Sequence, residues 1–119
     1  MRVAIVGSRD YDALGLVRRY VRSLPKDTVV VSGGAIGVDS VAADEAQKCG
    51  LQTTVYLPNW KTFGKSAGFK RNSQIVNDCD LLVAFWDGVS RGTKDSIDKA
   101  AAAGIPVVVN PKEYEEDSK

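Results

Sequence analysis

The stretch TVVVSGGAIGVDSVAADEAQKC, residues 28–49, decides the fold. It begins with a short β-branched run, Thr28-Val29-Val30-Val31, which reads as a strand. Serine and three glycines follow, and then Val38, Val41, Ala42, Ala46 and Cys49 recur at helical spacing until Gly50 closes the helix. A strand passing through a glycine-rich turn into a helix is half of a strand–helix–strand unit. The glycines need a reason, because each adds backbone freedom that folding must remove. Either the turn is tight or something must approach the backbone closely.

The same alternation continues in both directions. Upstream, Val3-Ala4-Ile5-Val6 is an uninterrupted apolar run, as expected of a central parallel strand buried on both faces. Asp12 opens a helical stretch with Leu14, Val17, Val21 and Leu24 on one side, and Pro25 stops it. Downstream, Gln52-Thr53-Thr54-Val55-Tyr56 reads as a third strand, and Leu57 to Ser66 as an unusually long loop. The spacing predicts a helix over 68–78 with Phe69, Val76 and Cys79 inward, a fourth strand over 81–85 and a glycine-bearing turn over 87–92. A helix over 93–103, closed by Gly104, and a fifth strand over 105–109 complete the series. The expected architecture is α/β: a single Rossmann-like, doubly wound parallel sheet of about five strands in the order 3-2-1-4-5, with helices on both faces. One domain over residues 1–110 and a charged tail over 111–119 are expected.

Composition narrows the function. The chain has 119 residues, enough for one core, and a net charge of +1 gives no general argument for a nucleic-acid or membrane partner. No apolar run is long enough to span a bilayer, and the first residues read as a strand rather than a signal peptide. There is no histidine, and Cys49 and Cys79 lie far apart, so no metal site is expected and both thiols are read as buried in a cytoplasmic protein. The dinucleotide pattern G-x-G-x-x-G is absent after the first strand, as is the Walker phosphate loop. No resident cofactor is expected.

Sheets of this kind bind ligands beyond the carboxyl ends of their strands, near the switch in strand order. Three glycine-containing segments leave strands at that edge: Gly7-Ser8-Arg9, Ser32-Gly33-Gly34-Ala35-Ile36-Gly37, and Trp86-Asp87-Gly88 continuing to Gly92-Thr93. Each leads towards a helix start, with its unpaired N–H groups and positive dipole end. Together with Arg9 they form an expected phosphate cradle, although each loop by itself is also ordinary turn chemistry. Asp39, in the first turn of its helix, either caps free N–H groups or accepts from ribose hydroxyls. Asn72 falls on an apolar stripe and so needs a buried partner. Lys65, Lys70 and Arg71 cluster near it, and Trp60 and Phe63 either stack on a base or pack over the sheet edge.

These motifs resemble the SLOG superfamily: Gly7-Ser8-Arg9, Ser32-Gly33-Gly34-Ala35-x-Gly37-x-Asp39-x-x-Ala42, Ala67-Gly68-x-x-Arg71-Asn72, and Ala84-Phe85-Trp86-Asp87-Gly88-x-Ser90-x-Gly92-Thr93. That group includes the DNA-processing protein Smf and the LONELY GUY phosphoribohydrolases, and the chain looks most like its small stand-alone YspA-like branch. The resemblance implies a Rossmann-like fold, a nucleotide-derived ligand at the glycine loops, and association into a homodimer. The phosphoribohydrolases carry a catalytic Glu where Ser96 stands here, and of their helix Arg-Lys pair only Arg71 is kept, followed by Asn72.

The leading expectation is therefore a sensor or ligand-handling domain for a nucleotide-type small molecule, such as a nucleoside monophosphate or an ADP-ribose-like molecule. Its expected ligand-binding residues are Gly7, Ser8, Arg9, Ser32, Gly33, Gly34, Gly37, Asp39, Arg71, Asn72, Asp87, Gly92 and Thr93. An N-glycosidase of the phosphoribohydrolase type comes second, with Asp39, Asp87 or Asp95 supplying the carboxylate. Single-stranded DNA binding, as in the Smf relatives, comes third. Lys61, Lys65, Lys70 and Arg71, with Trp60 and Phe63 between them, suit a stacking and phosphate strip, whereas near-neutral charge and small size speak against it.

Overall fold

The sheet is built around β1 (Arg2–Gly7), whose side chains alternate between two cores. Val3 and Ile5 face α1 (Leu14–Arg22) and α2 (Val38–Lys48), while Ala4 and Val6 face α4 (Ala67–Asn77) and α5 (Arg91–Ala102). This period-two division is why the strand is apolar at every position from Val3 to Val6. β2 (Val29–Ser32) and β4 (Leu81–Phe85) flank it in parallel, with Ala4 opposite Val31 on one side and Gly7 opposite Phe85 on the other. β3 (Gln52–Val55) and β5 (Val107–Val109) are the edges, giving the order β3-β2-β1-β4-β5 in a computed structural model that describes residues 1–111. The expected charged tail lies, apart from its first residue, outside the described residues.

The first core has Val17, Val21, Val30, Val38, Ala42 and Phe85 at its centre. Tyr11 and Tyr20 meet the Phe85 ring edge-on, with centroids 5.7 and 6.1 Å away. The second core has Val31, Ile75, Val76, Leu82 and Ala100. Outside the cores, Arg18 and Arg22 of α1 hold Glu45 of α2, and Arg2 and Tyr56 both bond the Asp78 carboxylate at the amino-terminal end of the sheet.

Three expectations need correction. The segment after β3 is not structureless: it holds the short helix α3 (Trp60–Phe63), capped by the Asn59 side chain, and a 3-10 turn over Gly64–Ser66. Gly92 lies inside α5 rather than before it, because Ser90 already caps the helix. Phe69 is 45% exposed rather than inward, since it sits in the first turn of α4, beyond the edge of the core. No helix among the described residues is long and apolar enough to cross a membrane.

Candidate nucleic-acid interface

The three glycine-bearing loops meet at the carboxyl edge of the sheet, where the strand order switches between β1 and β4, and side chains lock them together. The Ser8 hydroxyl, fully buried, accepts from the Asp87 N–H at 3.1 Å and so ties the first loop to the third. Gly37 ties the first to the second: its φ is +93°, and a Cβ there would come within 2.6 Å of the Arg9 carbonyl oxygen. Only glycine relieves both constraints at once. In the second loop, Ser32 donates its hydroxyl to the Asp39 carbonyl and accepts from the Gly34 N–H, while the Asp39 carboxylate accepts from the Gly33 N–H at 3.1 Å.

The Gly33 and Gly34 N–H groups are thus already engaged within the loop, and what these glycines provide is space. A Cβ on Gly33 would come within 2.6 Å of both the Arg71 guanidinium and the Asp39 carboxylate. Arg71 reaches across from α4: its Nη1 donates to the Gly33 and Tyr56 carbonyls, and its Nε donates to the Asn72 carboxamide. Asn72, only 6% exposed, passes the network on by donating to the Gly92 carbonyl and the Asp95 carboxylate. The amide that looked out of place on an apolar stripe joins α4 to the start of α5.

A cavity of about 710 Å³ opens between these elements. Its floor is Gly7, Gly33, Gly34 and Asp39, and its cations are Arg9, Lys65 and Arg71. Gly92, Thr93 and Ser96 close it on the α5 side, and Trp60 and Phe69 stand at the opposite wall. Trp60 is 59% exposed, with its ring beside Gly68, where an added Cβ would lie 3.6 Å from it. The N–H of Gly92, in the first turn of α5, has no intrahelical acceptor and carries the positive end of the helix. Positive side chains, a helix start and exposed rings in one hollow can hold a phosphate and a flat aromatic group.

The electrostatics centre on Asp39. Burial pushes its carboxyl up to about 6, against the lowering effects of the Arg71 charge and of backbone hydrogen bonds from Ala35, Gly33 and Gly7. Burial lowers the Arg71 pKa, and Asp39 raises it. Asp87 is held below the ordinary carboxylate range by backbone hydrogen bonds from Ser90 and Val89.

Of the residues singled out in the sequence, Gly7, Arg9, Gly33, Gly34, Asp39, Arg71, Asn72, Gly92 and Thr93 line the cavity together. Ser8, Ser32, Gly37 and Asp87 do not; they brace the loops that do. Asp95 also lies outside the lining, held between Asn72 and Lys99. Sequence reasoning missed Ile36, Leu57 and Pro58, which form the apolar rim. Leu57-Pro58 directly follows β3, so its place at the carboxyl edge was the available signal. Among the described residues no group of acidic, Cys or His side chains could hold a metal ion.

Fold and cavity together define a Rossmann-like α/β domain with its site at the switch in strand order. The chain belongs to the DNA recombination-mediator protein A family, whose model matches residues 1–83, in agreement with the resemblance to the SLOG superfamily. It is 36% identical over 120 aligned positions to the Gene 61 protein of Mycobacterium phage D29, covering 90% of this chain and 94% of that one. Two solved structures share the fold. DNA processing protein A of Streptococcus pneumoniae superposes with a TM-score of 0.82 at 22% identity, over 94% of this chain and 50% of its own. The Helicobacter pylori protein, whose structural study concerns its single-stranded DNA binding mode, gives 0.74 at 21% identity, over 99% of this chain and 73% of its own.

Proposed function

We propose that the domain binds single-stranded DNA, with a backbone phosphate in the cavity and a base against Trp60. The observation that carries this reading is the convergence of Arg9, Lys65 and Arg71 with an exposed indole in one hollow, in a chain of the DNA recombination-mediator protein A family. Arg71 is held by its Nε and Nη1, so its Nη2 remains for a phosphate oxygen; among the described residues Nη2 has no acceptor. The Gly92 N–H supplies a neutral donor on the other side. Stacking on Trp60 tolerates any base, because every base has a π-face. Family membership thus moves forward the reading that near-neutral charge and small size had held in third place. A net charge of +1 does not oppose it, because binding depends on where the cations stand.

Fluorescence anisotropy with a labelled oligothymidylate tests this. If three phosphates are neutralised, affinity falls roughly twentyfold between about 50 and 200 mM salt. Arg71→Ala weakens binding and flattens that salt dependence. Absence of binding at low salt, or an Arg71→Ala variant that binds as well as the parent, overturns the reading.

A second reading, a free nucleotide or ADP-ribose-like ligand, is favoured by one observation: about 710 Å³ lies within the ordinary range for a small-molecule cavity. Calorimetry with AMP, ADP, ADP-ribose and NAD separates it from the first. A phosphoribohydrolase would have only Asp39 as a cavity-lining carboxylate among Asp39, Asp87 and Asp95.

A further inference from the structure

A second hollow adjoins the main cavity. Its volume is about 410 Å³, its walls include Asn59, Phe63, Lys70 and Gln74, and it shares Leu57 and Arg71 with its neighbour. Leu57 is the partition, and the Arg71 guanidinium stands at the boundary, fixed by Gly33, Tyr56 and Asn72. Two amides of this hollow keep groups that no hydrogen bond uses among the described residues. Asn59 uses its carbonyl oxygen to cap Thr62, which leaves its NH₂ group, and Gln74 is exposed with no hydrogen-bond partner among the described residues. The Lys70 ammonium is held 4.8 Å from the Phe63 ring centroid, so one aromatic and one cation are presented together.

We propose that the second hollow is a subsite for the nucleotide next to the one held in the main cavity, so that the domain grips a dinucleotide step of single-stranded DNA with Arg71 at the bridging phosphate. The proposal rests on the single-stranded DNA reading above and adds the length of the grip and the residues that make it. Two hollows with a shared arginine suit a ligand with two bases joined by one anionic link. Phe63 packs against the second base, the Asn59 and Gln74 amides meet its edge, and Lys70 lies near the phosphate beyond it. Amide groups can donate or accept, so they accommodate more than one base.

The test is competition against a labelled oligothymidylate by thymidine 5′-monophosphate, by the dinucleotide pTpT and by NAD. One further stacked base makes pTpT compete roughly tenfold better than the mononucleotide. Phe63→Ala lowers that ratio. Gln74→Glu, at an exposed position where folding is not at stake, lowers it as well by replacing an amide that can donate to the base edge with a carboxylate that can only accept and that adds a negative charge to the second hollow. Equal competition by mononucleotide and dinucleotide, or a ratio unchanged in both variants, overturns the second subsite and leaves DNA binding standing. NAD competing better than pTpT overturns it in favour of a free dinucleotide. Failure of every oligonucleotide to bind removes both this inference and the reading beneath it.

Discussion

Replacing Asp39 with Asn removes a pH dependence of stability that runs opposite to the one most carboxylates give. Asp39 is 4% exposed, and burial raises its pKa from 3.8 in the unfolded chain to about 6 in the folded one. The folded state therefore binds the proton more tightly than the unfolded state. The contribution of Asp39 to stability is greatest while the group is protonated in both states, below about 3.8, and declines until pH exceeds about 6. At about 1.4 kcal/mol per pH unit, the decline is about 3 kcal/mol. Asn is nearly the same size and keeps an oxygen to accept from Gly33, but its NH₂ meets the other backbone donors, a cost that does not change with pH. Urea denaturation of both proteins between pH 4 and 7.5 gives the comparison. Asp44, Glu45, Asp78 and Asp87 are shifted the other way by their ion pairs and hydrogen bonds, and they are common to both proteins. In the difference, wild-type stability minus that of Asp39→Asn falls by about 2.4 kcal/mol as pH rises across this window, the remainder of the decline lying below pH 4. A flat difference, or one that rises with pH, refutes the assignment of Asp39 as a carboxylate whose charge is opposed by burial.

Two further substitutions test the frame around the cavity. Gly37→Ala forces a side chain into a left-handed backbone and against the Arg9 carbonyl, so a loss of about 1–3 kcal/mol from backbone strain alone is expected in chemical denaturation, with more from the clash; a variant as stable as the parent excludes this junction of the loops. Phe85→Ala removes a fully buried ring packed by Tyr11 and Tyr20 and is expected to cost about 3–5 kcal/mol, read as a lower urea midpoint.

Much of the fold was legible because its signals are local. Val3 to Val6 could be apolar at every position only if both sheet faces were covered; Val17, Val21, Val38, Ala42 and Ala46 of α1 and α2 cover one face, and Ile75, Val76 and Ala100 of α4 and α5 cover the other. Parallel neighbours with right-handed crossovers leave few strand orders, and the observed order is the one those rules favour. Phe69 misled because helical spacing gives the face of a residue but not how far the neighbouring core extends along the helix. α3 was missed because a helix of four residues has too little periodicity to register.

For the site, the sequence by itself determined which segments reach the carboxyl edge and that Arg71 and Asn72 share one helix. A strand's direction and the spacing of residues along a helix are local properties, readable without neighbours. Only the tertiary structure decided what each group does on arrival. Gly33 and Gly34 turn their N–H groups to Asp39 and Ser32 rather than leaving them for a ligand, and Asp87 and Asp95 are drawn into capping and ion pairing outside the cavity. Donors and acceptors are claimed by whichever partners packing brings within about 3 Å, and those partners come from segments distant in the chain.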